Sequence, residues 1–167
     1  MSPRARTLAW TSTIFLALLA PGTHAQDDTQ SAYPATPMPT SWVELHGHRY
    51  TVEIARTELQ RARGLMFRDS MAQDHGMFFI HDAEKPLAYW MKNTHIPLDI
   101  FYFNAHGQLV SVARNTPACN LGNACPPFYS DGPALYVLEL NAGIADRLHS
   151  KKGDFLKFGP GLPAPVP

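Results

Sequence analysis

Asp99-Ile100-Phe101-Tyr102-Phe103 sets bulky side chains side by side with no polar alternation after its first residue. Successive side chains of a strand point to opposite faces, so a run of this kind is expected where both faces of a sheet are covered. The segment therefore reads as a central strand. Asp99, at its start, is a carboxylate that is costly to bury unless it is hydrogen-bonded or paired with a cation.

Outward from this strand, Asn104-Ala105-His106-Gly107 reads as a turn into Gln108-Leu109-Val110-Ser111-Val112, which alternates as a half-buried partner should. Upstream, Trp42-Val43-Glu44-Leu45 and Tyr50-Thr51-Val52-Glu53-Ile54 flank His46-Gly47-His48, a hairpin signal. Thr57 and Gln60 have capping-box spacing, and Glu58 to Arg63 reads as a short helix stopped by Gly64. Gly76-Met77-Phe78-Phe79-Ile80 and Ala88-Tyr89-Trp90-Met91 read as two buried strands separated by Pro86 and charges. Leu135 to Leu140 adds a strand, Gly143 to Leu148 a second short helix with Asn141 as its cap, and Phe155-Leu156-Lys157-Phe158 a last strand. The expected fold is α+β: a compact, mainly antiparallel, strongly curved or barrel-like sheet with two short helices.

The ends lie outside this pattern. Arg4 and Arg6 precede an apolar run from Leu8 to Leu19, followed by Pro21-Gly22 and the small-residue stop Thr23-His24-Ala25, so residues 1–25 read as a secretory signal peptide. Thr11, Ser12 and Thr13 interrupt the run, which is short and polar for a bilayer span of about 20 residues; an uncleaved anchor is the alternative, and no stable span is expected after cleavage. Residues 26–41, with Pro34, Pro37 and Pro39, read as a flexible leader, residues 42–159 as the domain, and residues 160–167 as a Pro-rich tail. Periplasmic or secreted localisation follows. Cys119 and Cys125, in a Pro/Gly/Asn-rich stretch, fit a local disulfide in that setting. A redox pair or soft-metal site is the alternative, although C-x-x-C spacing is absent.

The 14 Lys+Arg balance 14 Asp+Glu, so there is no basic field of the kind that phosphate contacts require, and no nucleic-acid partner is expected. Removing Arg4 and Arg6 with the signal leaves 12 bases against 14 acids, a mildly acidic mature chain. There is no G-x-S-x-G elbow and no G-x-G-x-x-G or G-x-x-x-x-G-K-[ST] loop. Met66, Met77 and Met91 lie in apolar strings and read as core, so no metal and no cofactor is expected.

Gly64-Leu65-Met66-Phe67-Arg68, Gly76-Met77-Phe78-Phe79, Trp90-Met91-Lys92-Asn93-Thr94 and Pro97-Leu98-Asp99 occur in the order and spacing of the DUF192 family. Tyr136-Val137-Leu138-Glu139-Leu140-Asn141-Ala142-Gly143 and Lys152-Gly153-Asp154 extend the resemblance, which spans Val43 to Phe158. The resemblance implies a compact, β-rich and often exported fold and supplies no assigned catalytic residues.

Six polar or aromatic residues remain as the candidate site: Arg68, Trp90, Asn93, Thr94, Asp99 and Glu139. Arg68 is a natural partner for Asp99, either as a structural ion pair or, if it faces a pocket, as an anion clamp. Asn93 and Thr94 either cap a turn or line a site, and Trp90 is either core or an aromatic platform. Glu139 interrupts an apolar strand face. The expected function is binding of a small polar ligand or envelope component. Two alternatives are a small hydrolase on glycan or envelope substrates, with Asp99 and Glu139 as an acid/base pair, and a structural or protein-interaction domain.

Overall fold

The structure, a computed structural model, describes residues 37–163. The signal peptide, most of the leader and the end of the tail lie outside the described residues. The elements run β1 (Thr40–Leu45), β2 (His48–Ala55), α1 (Glu58–Arg63), β3 (His75–Trp90), β4 (Leu98–Phe103), β5 (Leu109–Thr116), β6 (Pro127–Asn141), α2 (Ile144–Arg147) and β7 (Lys157–Phe158). The fold is α+β, with the strands in one curved sheet that forms a half-barrel, in the order β5-β4-β6-β3-β2-β1-β7.

Every neighbouring pair is antiparallel except β2 and β3, whose parallel pairing is made possible by the crossover through α1. The segment before β7 reaches the far edge: Leu109 N–H donates to Asp154 O at 2.7 Å and Leu156 N–H to Gly107 O at 2.9 Å. These bonds tie the start of β5 to the stretch leading into β7.

Local chemistry explains the elements. Leu45 and His48 pair across His46-Gly47, both at positive φ (51° and 80°), the two-residue turn whose twist suits a hairpin. Thr57 accepts from Gln60 N–H while the Gln60 side chain accepts from Thr57 N–H, the expected reciprocal cap of α1.

β4 is interior, between β5 and β6, and buried along its whole length. Its alternate side chains enter two cores. On one face Phe101 and Phe103 join Val43, Phe78, Leu138 and Leu140, packed against Ile144 and Leu148. On the other, Leu98, Ile100 and Tyr102 join Met77, Phe79 and Val137 under Leu65, Met91 and Ile96.

Three local expectations need correction. The two apolar runs around residues 76–80 and 88–91 are halves of one 16-residue strand, β3. Pro86 is accommodated because the β3–β6 register shifts on either side of it, between Ile80 and Lys85 and between Pro86 and Ala88. Asn141 does not cap α2: Gly143 stands at that position with φ 87°, and the Asn141 amide donates instead to Met71 O and Ala72 O. The last strand is reduced to Lys157–Phe158.

Candidate functional site

The β-ladder sets one lateral row across four strands: Glu53 pairs with Met77, Met77 with Glu139, and Glu139 with Ile100. Residues paired in this way share a face, so Glu139 projects into the core that lies under Leu65 and Met91. Its residue is only 4% exposed. No cation or hydrogen-bond donor among the described residues meets its carboxyl group, yet its oxygens are not among the sealed, unpartnered polar atoms. Glu139 lines a crevice of about 30 Å³, together with Leu65, Met66, Tyr89, Trp90 and Thr94 and with Arg61 and Arg63 on α1.

Burial without a countercharge raises the Glu139 pKa to about 8, so the group is protonated at neutral pH. Tyr89 feels both ends of the crevice. Burial first, and then the Glu139 charge, push its phenol well above the usual range, while Arg61 opposes them. Its hydroxyl shares a 2.9 Å hydrogen bond with His81 Nε2. Burial, followed by the nearby Arg61 and Lys85 charges, lowers the His81 pKa to about 4 and keeps this imidazole neutral. Tyr102, which projects from β4 into the same core, donates to Phe128 O at 2.8 Å.

The guanidinium of Arg61 is fixed by donation to Ile80 O and Arg56 O and pairs with Asp82. Trp90 is 43% exposed, with the Lys92 amine 4.9 Å from its ring centroid. Thr94 is held from both sides: its N–H donates to Met91 O and its carbonyl accepts from Cys119 N–H. Cys119 and Cys125 form the expected disulfide, with S–S 2.03 Å, so the covalently closed loop lies directly against this wall.

The structure thus brings Trp90, Thr94 and Glu139 together. Arg68 does not meet Asp99. It forms a two-pronged ion pair with Glu53 of β2 at 2.5 and 2.6 Å. Asn93, at φ 51°, contributes its carbonyl group, which accepts from Phe67 N–H at 2.7 Å. Phe67 is itself left-handed, at φ 63°, an uncommon state for an aromatic residue and one that joins the two crevice walls through backbone.

Asp99 lies apart. It pairs with Leu140, whereas Glu139 pairs with Ile100, so the two carboxyl groups are one register step apart and point to opposite faces. The acid/base pair expected from their proximity is excluded by the sheet between them. Asp99 is fully buried and accepts Asn115 N–H and Ala145 N–H, each at 2.7 Å.

Sequence reasoning missed Arg61, Arg63 and Tyr89. Arg61 and Arg63 lie in a segment read only as a short helix, and Tyr89 in one read only as a buried strand.

The profile of a family of uncharacterized proteins, DUF192, matches residues 41–158. The chain belongs to the DUF192 family. A Sinorhizobium meliloti protein described as a "putative transcription regulator" is 38% identical, with TM-score 0.67, over 75% of this chain and 98% of its own. A protein of unknown function from Novosphingobium aromaticivorans is 33% identical to this DUF192 chain, with TM-score 0.63, over 75% of this chain and 89% of its own. No curated protein matches this DUF192 chain.

Proposed function

We propose that the protein is an exported module that binds a small polar ligand in the crevice above Glu139. The observation that carries this reading is a buried carboxyl group, raised in pKa by burial alone, that lines a crevice. Buried polar groups are ordinarily satisfied, and one that lines a concavity is suited to a ligand's hydrogen bond. Trp90 offers an apolar platform beside it, and Thr94 a polar wall. Export is supported by the signal-like pattern of residues 1–25 and by the disulfide, and among the described residues no helix is long and apolar enough to cross a membrane. The balanced charge supplies no field for binding nucleic acid, so the regulator description of the Sinorhizobium protein is not extended to this chain.

The test is a thermal-shift and NMR titration screen of the mature domain with neutral sugars, small amides and small carboxylates. A compound that stabilises the wild type and perturbs Trp90, and whose effect is lost in Trp90→Ala, supports the reading. No stabilising compound and no perturbation around Glu139 overturns it.

A further inference from the structure

The loop closed by Cys119 and Cys125 has little besides its disulfide to fix its shape. Asn120, Leu121, Asn123 and Ala124 are exposed, Leu121 at 66%. Apart from the two cysteines, the loop buries no apolar side chain that would hold it in place once the sulfurs part. It meets the neighbouring wall through polar contacts: Cys119 N–H donates to Thr94 O at 3.1 Å, and the Lys92 amine donates to Asn123 Oδ1 at 2.7 Å. The chain on either side is anchored independently of the disulfide. Thr116, at the end of β5, is buried and donates its hydroxyl hydrogen to Leu98 O, and Pro127, at the start of β6, pairs with Trp90.

The two cysteines are also unequally placed. Cys119 is half-buried and lines an open concavity of about 310 Å³ with Thr94, His95, Ala118 and Asn120. Cys125 is only 4% exposed. Attack by a thiolate therefore falls on Cys119, with Cys125 as the leaving group. Accessible disulfides are the labile class, and a short ring constrains the unfolded chain least, so little of the folding free energy guards this bond.

We propose that the Cys119–Cys125 disulfide is a redox switch on the crevice wall: a dithiol reduces it in the folded protein and frees the loop from Thr94 and Lys92. One thiolate of the dithiol attacks the Cys119 sulfur, the S–S bond breaks, and Cys125 leaves as a thiolate that takes up a proton. The second thiol then attacks the mixed disulfide and releases Cys119 as a thiol. Two electrons and two protons pass to the protein, and the dithiol becomes a disulfide. The released loop no longer holds Thr94, which lines the crevice, or Lys92, whose amine lies 4.9 Å from the Trp90 ring centroid. The oxidised form holds this wall and the reduced form loosens it, whatever the crevice binds.

The experiment treats the mature protein with dithiothreitol without denaturant and in 1 M urea, and follows iodoacetamide labelling of the freed thiols. Both cysteines should be labelled, at rates that agree within about twofold in the two conditions, because only the loop has to open. A bond reducible only through global unfolding would be cut about fivefold or more faster in 1 M urea, as the unfolded population grows, and that result overturns the proposal. In NMR spectra, reduction should raise amide exchange at position 119 by about tenfold or more and shift the Trp90 indole signal. Ile100 to Phe103 in β4 should stay protected, and the Trp42 indole, under Arg49 on β1, should stay in place. Cys119→Ser/Cys125→Ser should show the exchange of the reduced form and no response to dithiothreitol. Loss of protection in β4, or unchanged signals at position 119 and Trp90 after reduction, also overturns the proposal. No ligand enters these measurements, so their failure leaves the polar-ligand reading standing, and an empty ligand screen leaves the switch standing.

Discussion

Asp99 and Ala145 are joined by a 2.7 Å hydrogen bond, in which the Ala145 N–H of α2 donates to a carboxylate oxygen of β4 forty-six residues earlier in the chain. The second Asp99 oxygen accepts from Asn115 N–H. One buried carboxylate thereby serves as a helix cap for α2 and closes the irregular end of β5. Asp99→Asn places an NH2 group against one of these N–H donors. We expect a loss of about 2–3 kcal/mol in urea unfolding, with binding at the Glu139 crevice unchanged, because the two side chains lie on opposite faces. Wild-type stability in this variant would show that the two bonds contribute nothing.

Glu139 makes stability depend on pH in the opposite sense to an ion-paired acid. Its pKa rises from 4.5 to about 8 on folding, so between these values the folded state takes up a proton that the unfolded chain lacks. The stabilisation is complete below the unfolded value and is lost as pH rises toward 8. Glu139→Gln should remove this slope and leave the domain more stable than wild type at pH 9 by a few kcal/mol, since the wild type loses on the order of 1.4 kcal/mol for each pH step of one between the two values. Urea unfolding at pH 5, 7 and 9 checks it.

His81 should titrate near 4 in NMR spectra of the folded domain. Arg61→Gln removes one of the charges that disfavour the imidazolium, so the midpoint should move upward in that variant. An unmoved midpoint would place the Arg61 charge away from the imidazole.

Gly76 faces the backbone of β6. A Cβ there would lie 2.5 Å from both Glu139 O and Leu140 Cδ2. A carbonyl in a central ladder cannot move aside alone, so Gly76→Ala should cost about 3 kcal/mol or more through overpacking. A thermal melt reads it directly.

The disulfide ring between Cys119 and Cys125 is small, which by loop-closure entropy makes it worth about 2 kcal/mol. The double variant Cys119→Ser/Cys125→Ser should lose that amount. It should also show faster amide exchange at position 119, whose N–H donates to Thr94 O in the wild type, because the loop then holds the Thr94 wall by hydrogen bonds alone.

What could be read beforehand follows from where the information resides. The both-face burial of Ile100 to Phe103 is written in adjacent bulky residues, and the α1 cap in the Thr57/Gln60 spacing, since both are local patterns. Glu139 was visible as a charge breaking an apolar face. The partners of Asp99 were not visible, because a backbone N–H belongs to every residue type but proline and leaves no signature in the sequence. For the same reason the Phe67–Asn93 bond escaped notice. Arg68 suited Asp99 chemically, and its pairing with Glu53 of β2 is a long-range contact that no local pattern marks.

The strand order has a consequence for synthesis. β6 lies between β4 and β3, although both are translated before it. Until residues 127–141 emerge from the ribosome, the apolar runs of β3 and β4 each carry an open edge, a condition in which nascent chains are prone to pair with one another. A chain cut short before Asn141 therefore lacks the middle of its sheet rather than its margin, and the last third of the message decides whether the first two thirds remain soluble.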